Sequence, residues 1–166
     1  MTEGATRDGD VVELELPARP EVVSVARLVI GALVATDPLF DEERGADLRL
    51  AVSEACTNAI QAQMASDDPE PILMRCTLHD GTIEVSVADH GGGFDVETLR
   101  EHPAVTDPAR LDHEGGLGIP LIKMLADEIE FRSTASGTTV VMRFEPRTPG
   151  PRSVLGSPPE ADPAAG

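Results

Sequence analysis

A two-layer α/β (α+β) sandwich, with a mostly antiparallel mixed sheet covered by helices, is the fold class this sequence predicts. Three observations predict it. Several segments alternate apolar and polar residues with period two, most of those segments are joined by hairpin-length turns, and two helical patterns come early in the chain. A doubly wound parallel fold would alternate strand and helix throughout, and this chain does not.

Residues 1–10 are polar and glycine-bearing and predict a disordered N-terminus. In "VVELELP" (11–17), Val12, Leu14 and Leu16 alternate with Glu13 and Glu15, which reads as a strand. Pro20 then opens a helix in which Val22, Ala26, Val29 and Leu33 recur at helical spacing, and "TDP" (36–38) ends it. Asp41 is placed to cap a second helix over about 42–64, with no evident partner for Arg44. "SDDPEP" (66–71) is a turn. "ILMRCTLH" (72–79) and "TIEVSVA" (82–88) alternate again, and the "DG" between them is a strong hairpin signal.

A long polar stretch follows, residues 95–114, with a short helix expected around "VETLREH" (96–102). Loops of this length inside a compact domain are usually lids or binding loops. "GGLGIPLIKMLAD" (115–127) reads as a glycine turn feeding a helix, with Pro120 tolerated in its first turn. "EIEFRS" and "TTVVMRFE" read as two strands joined by "TASG" (134–137), with Val140, Met142 and Phe144 on one face. From residue 146 to 166 the chain is proline-dense without apolar period, which predicts a disordered tail. One domain over 11–145 remains.

Composition excludes several function classes. The formal net charge is −17, a field that repels phosphate backbones and anionic membranes and favours a basic protein partner. No direct nucleic-acid or membrane role is expected. The longest uncharged apolar stretch, "LVIGALVA" (28–35), is too short to span a bilayer, and the N-terminus lacks the pattern of a secretion signal. Cys56 and Cys76 stand in patterned segments without metal-ligand spacing and read as reduced core thiols. A cytoplasmic location is the default expectation.

Four short stretches carry chemistry. "DHGGGF" (89–94) follows a strand with three successive glycines, more than a hairpin needs. "EGGLGI" (114–119) precedes a helix, where free N–H groups and the helix dipole favour anions; alone it reads equally as a tight turn. It is neither a Walker loop nor a dinucleotide-binding fingerprint, because the Gly-Lys-Ser/Thr and the βαβ spacing are absent. In "SEACTNAIQ" (53–61), Glu54 and Asn58 lie one helical turn apart, with Gln61 continuing the stripe. The stripe is either the polar edge of an amphipathic helix or a metal-and-base site, since an amide oxygen suits Mg²⁺ and a carboxylate can take a proton. "GTT" (137–139) before the last strand is a common turn.

In this order, the four stretches resemble the Bergerat ATP-binding fold of the GHKL superfamily, which includes gyrases, Hsp90-type chaperones and histidine kinases. The resemblance covers about residues 11–145. The N box is Glu54 and Asn58, the first glycine box Asp89, Gly91 and Gly93, the second Gly115, Gly116, Leu117 and Gly118, and the last Gly137 and Thr138. The short chain and the "EGGLGIPLI" form are most similar to the anti-sigma factor serine/threonine kinases. That resemblance implies ATP and Mg²⁺ as cofactors. Asp89 would read the adenine amino group, Gly91 and Gly93 would make room for the nucleotide, and Asn58 would hold Mg²⁺. Glu54 would be the general base, the second glycine loop would wrap the phosphates, and Thr138 would support the adenine pocket.

The resemblance also implies two protein partners, a sigma factor and a STAS-domain anti-anti-sigma protein that receives phosphate on a serine or threonine. Relatives are often homodimers. Many relatives continue the N box with histidine and alanine, where this chain reads "NAIQAQM", with Gln61 and Gln63. The 95–114 stretch holds few cations, Arg100 and Arg110 with His102 and His113. Arg110 is the candidate to offset charge at the transferring phosphate, and the two histidines read as solvated loop residues. The alternative function is a non-catalytic nucleotide-binding module that regulates by sequestering a protein partner.

Overall fold

A computed structural model of the chain describes residues 9–92 and 118–147. Its elements, in order, are β1 (Asp10–Leu16), α1 (Val23–Thr36), α2 (Glu42–Ala65), β2 (Ile72–His79), β3 (Thr82–Ala88), α3 (Gly118–Leu125), β4 (Glu128–Thr134) and β5 (Gly137–Phe144). A single helical turn, Pro20–Val22, leads into α1. The strands form one sheet in the order β1-β2-β3-β5-β4, and every described ladder is antiparallel. The parallel pairing that a mixed sheet would add does not occur among the described strands.

Period-two alternation decides which face of the sheet is covered. Ile72, Met74 and Cys76 on β2, Ile83, Val85 and Val87 on β3, and Met142 and Phe144 on β5 are all buried. Their neighbours on the opposite face are charged or half-exposed, and the ion pair Arg75–Glu13 crosses strands there at 2.7 Å. The β2–β3 hairpin turns on Asp80 and Gly81, with φ of 49° and 75°. Two successive positive φ values are what a two-residue hairpin turn matched to strand twist requires.

The helix α2 is the centre of the covering layer, packing against α1, α3 and the middle of the sheet. Asp41 caps it, its Oδ1 accepting the Arg44 N–H at 2.7 Å. Its buried stripe includes Leu48, Val52, Cys56, Ala59 and Ile60. Both cysteines are free and buried, and burial pushes each thiol up to about 12, so they are inert packing groups.

Arg44 corrects one expectation. It is 1% exposed and has several partners. Its Nη1 donates to Leu125 O at 2.7 Å, its Nε donates to Glu145 O at 2.9 Å, and its Nη2 pairs with Asp127. The guanidinium also stacks 5.1 Å from the Phe144 ring centroid. It therefore ties the start of α2 to the end of α3 and the end of β5. These partners lie far along the chain, which is why no local pattern announces them. Pro146 and Arg147, at the start of the expected tail, are described, and Arg147 pairs with Glu43 and Asp47 on α2. Residues 1–8, 93–117 and 148–166 lie outside the described residues, and with them the 95–114 stretch, its 96–102 helix and most of the tail. Among the described residues, no helix is long and apolar enough to cross a membrane.

Candidate functional site

A cleft with a volume of about 120 Å³ opens between α2, α3 and one end of the sheet. Ala55, Ala59 and Ala62 line it from α2, Val87 and Asp89 from β3 and its end, Phe131 from β4, Thr138 and Val140 from β5, and Ile119 from α3. Asn58 completes the lining. The three alanines recur at one helical face, and their small side chains leave the cleft open where leucines would fill it. An apolar slot with a few polar groups is the form of a site for a flat heterocycle.

Asp89 is the buried polar group of this slot, 9% exposed. Its Oδ1 accepts the Gly91 N–H at 2.9 Å and the Thr138 N–H at 3.3 Å. Its Oδ2 accepts no hydrogen bond from any described residue. Burial pushes the carboxyl above the usual aspartate range, and the two backbone N–H groups and the His90 charge offset part of that rise. A buried oxygen without a donor is the complement of an exocyclic amino group.

The glycines divide by purpose. A Cβ on Gly91 would lie 2.8 Å from Ala62 O, so this glycine is required by the approach of α2. Gly92 faces open space. Gly137 has a φ of 143°, and a Cβ there would overlap the Asp89 carbonyl. Gly137 thus lets β5 start beside Asp89, and Thr138 follows, 4% exposed, to hold its carboxylate. For Gly91 the packing of α2 is thus one reason for a glycine, beside the room for a nucleotide that the resemblance implies.

Gly118 joins two of the motifs. A Cβ on it would stand 3.0 Å from Asn58 Nδ2 and 3.1 Å from Glu54 Oε2. The N box of α2 therefore lies directly against the N-terminus of α3. Glu54 and Asn58 are half-buried, and neither accepts or donates a side-chain hydrogen bond with a described residue. The Asn58 amide oxygen suits Mg²⁺, which takes one or two protein oxygens and completes its shell with phosphate and water, and the neighbouring Glu54 carboxylate is free to take a proton. No group of three or more His, Cys, Asp or Glu side chains among the described residues is placed to hold a metal alone. Gln61, expected to extend the stripe, is exposed and does not line the cleft. Gly93, Arg110, Gly115, Gly116 and Leu117 lie outside the described residues.

Gln63 is the residue sequence reasoning undervalued. It is fully buried, and its Oε1 accepts the His90 N–H at 2.7 Å. The available signal was a glutamine at a core-facing position of α2, one turn beyond Ala59 and Ile60.

Known proteins place this architecture. A family model described as the histidine kinase-like ATPase domain matches residues 16–144. The chain is 38% identical over 138 residues to the serine-protein kinase RsbW of Bacillus pumilus, covering 80% of this chain and 84% of that protein. It is 36% identical to RsbW of Bacillus subtilis, covering 81% and 85%. Similarity to a solved structure of the RsbU and RsbW domains of a Mycobacterium tuberculosis protein supports the fold, with a TM-score of 0.60 at 21% identity, covering 82% of this chain and 32% of that one. The chain belongs to the histidine kinase-like ATPase domain family and, within it, to the RsbW group of serine-protein kinases.

Proposed function

We propose that the chain is an ATP- and Mg²⁺-dependent anti-sigma factor kinase, which binds a sigma factor and phosphorylates a serine or threonine of a STAS-domain anti-anti-sigma partner. The observation that carries the proposal is the meeting of Glu54, Asn58 and Gly118 beside the cleft that holds Asp89 and Thr138. One end of the site suits a purine, and the adjoining end offers a base, a metal ligand and a helix N-terminus.

In this reading the adenine enters the apolar slot and its amino group donates to Asp89 Oδ2. The backbone of Thr138 keeps that carboxylate in place. Asn58 would hold Mg²⁺, which when bound offsets the charge of the phosphates. By the resemblance, Gly115, Gly116 and Gly118 would offer backbone N–H groups to the phosphate oxygens. Glu54 takes the proton of the partner's hydroxyl as its oxygen bonds to the γ-phosphorus. The bond from that phosphorus to the bridging oxygen breaks, and ADP departs with the electron pair. Arg110 is assigned to the charge that develops on the transferring group.

Incubation with γ-labelled ATP and candidate STAS proteins tests the proposal. Label should appear on a serine or threonine of one of them, only with Mg²⁺. Tight sigma-factor binding with no transfer to any STAS protein would replace the kinase by a sequestering module.

A further inference from the structure

The segment 89–91 is held by three successive backbone N–H groups. That of Asp89 donates to Thr138 O at 2.9 Å, and that of Gly91 donates to Asp89 Oδ1 at 2.9 Å. Between them, that of His90 donates to Gln63 Oε1 at 2.7 Å, its one support among the described residues. The other end of the same amide is also engaged, with Gln63 Nε2 donating to Asp68 O at 3.3 Å. These two partners fix the amide's orientation, because the flipped form would set donor against donor and acceptor against acceptor. Next to Gln63, the Ala62 carbonyl packs where a side chain on Gly91 would sit. The turn is thus gripped by two consecutive residues of α2, one through backbone and one through an amide. A fully buried glutamine among the apolar positions of a helix is retained for its bonds and not for its packing.

We infer that Gln63 is a positioning residue for base recognition: it fixes the His90 peptide and with it the aim of the Asp89 carboxylate. Through Asp68 it also ties that aim to the turn between α2 and β2. Without it the peptide between Asp89 and His90 loses the bond donated by the His90 N–H, and the carboxylate samples wider geometry. The inference rests on Asp89 reading the adenine amino group.

Calorimetric titration with ATP and with inosine triphosphate, which carries a carbonyl in place of that amino group, tests it in wild type and Gln63→Met. Methionine keeps length and approximate volume and removes both bonds. Wild type should prefer ATP, and Gln63→Met should lower that preference roughly fivefold, with inosine triphosphate affinity little changed. An unchanged preference in a folded Gln63→Met overturns the positioning role while leaving the Asp89 assignment intact. No preference in wild type overturns the Asp89 assignment and this inference with it. Hydrogen exchange of wild type needs no substitution: ATP should slow exchange at the His90 amide more than inosine triphosphate does, and equal slowing overturns the inference.

Discussion

Asp89 and Thr138 hold each other through a reciprocal pair of bonds, with Asp89 N–H donating to Thr138 O at 2.9 Å and Thr138 N–H donating to Asp89 Oδ1 at 3.3 Å. The pair fixes one carboxylate oxygen, and the other accepts no hydrogen bond from a described residue. Asp89→Asn should therefore damage recognition with little change in shape. If the new carbonyl keeps the backbone bonds, an NH₂ faces the adenine amino group, donor to donor. ATP affinity should fall by about 1.5–3 kcal/mol, measured by calorimetry. Unchanged affinity would remove Asp89 from the adenine site.

The same carboxylate makes a pH-dependent contribution whose sign follows from its raised pKa. In the folded state it binds a proton more readily than in the unfolded chain. Its contribution to stability is thus greatest below the ordinary aspartate range and is lost as pH rises through the folded value. Asp89→Asn should be at least as thermally stable as wild type at neutral pH without nucleotide, and its advantage should shrink on acidification through that window. A neutral-pH melting temperature below that of wild type would contradict the burial argument.

Gly137 lies in a backbone region that other residues avoid and has no room for a Cβ. Gly137→Ala should destabilise the domain by about 2–3 kcal/mol in urea denaturation. Gly92→Ala, in open space, is the control and should stay near wild type.

Arg44→Met replaces a buried cation by an apolar chain of similar length. It strips donors from Leu125 O and Glu145 O. Of its two acidic partners, Asp127 is half-exposed and can be rehydrated, and Asp47 keeps its pairing with Arg147, which holds the cost below that of a fully buried pair. The expected loss is about 2–4 kcal/mol in urea denaturation. A loss below the uncertainty of the measurement would show that the buried guanidinium is not a structural tie.

The elements whose signals are local were legible in the sequence. The alternation in 72–79 and 82–88 and the Asp80-Gly81 pair define a hairpin observed with the same bounds. The Asp41 cap was likewise legible, because a cap and its N–H are three residues apart. Glu54, Asn58, Asp89 and Thr138 were legible as motifs, and the structure brings Asn58, Asp89 and Thr138 to one cleft, with Glu54 and Gly118 beside Asn58. Distant partners were not legible. Arg44 finds carbonyls on two remote elements, and Gln63 finds a peptide that only the fold brings near. Gly137 read as an ordinary turn residue because its requirement comes from the Asp89 carbonyl, not from its neighbours in the chain.

The central claim is that Glu54 serves the chemistry while Asn58 and Asp89 serve binding. Single-turnover transfer of labelled phosphate to a STAS-domain serine, with ATP affinity measured in parallel, tests it most directly in Glu54→Gln and Asn58→Ala. Glu54→Gln keeps size and most hydrogen bonding but cannot take a proton. It should leave ATP affinity and sigma-factor binding nearly intact and slow transfer by roughly 10²–10⁴-fold. Asn58→Ala should weaken Mg-ATP binding itself, through loss of a metal ligand. Transfer by Glu54→Gln at the wild-type rate would place the base elsewhere and contradict the account.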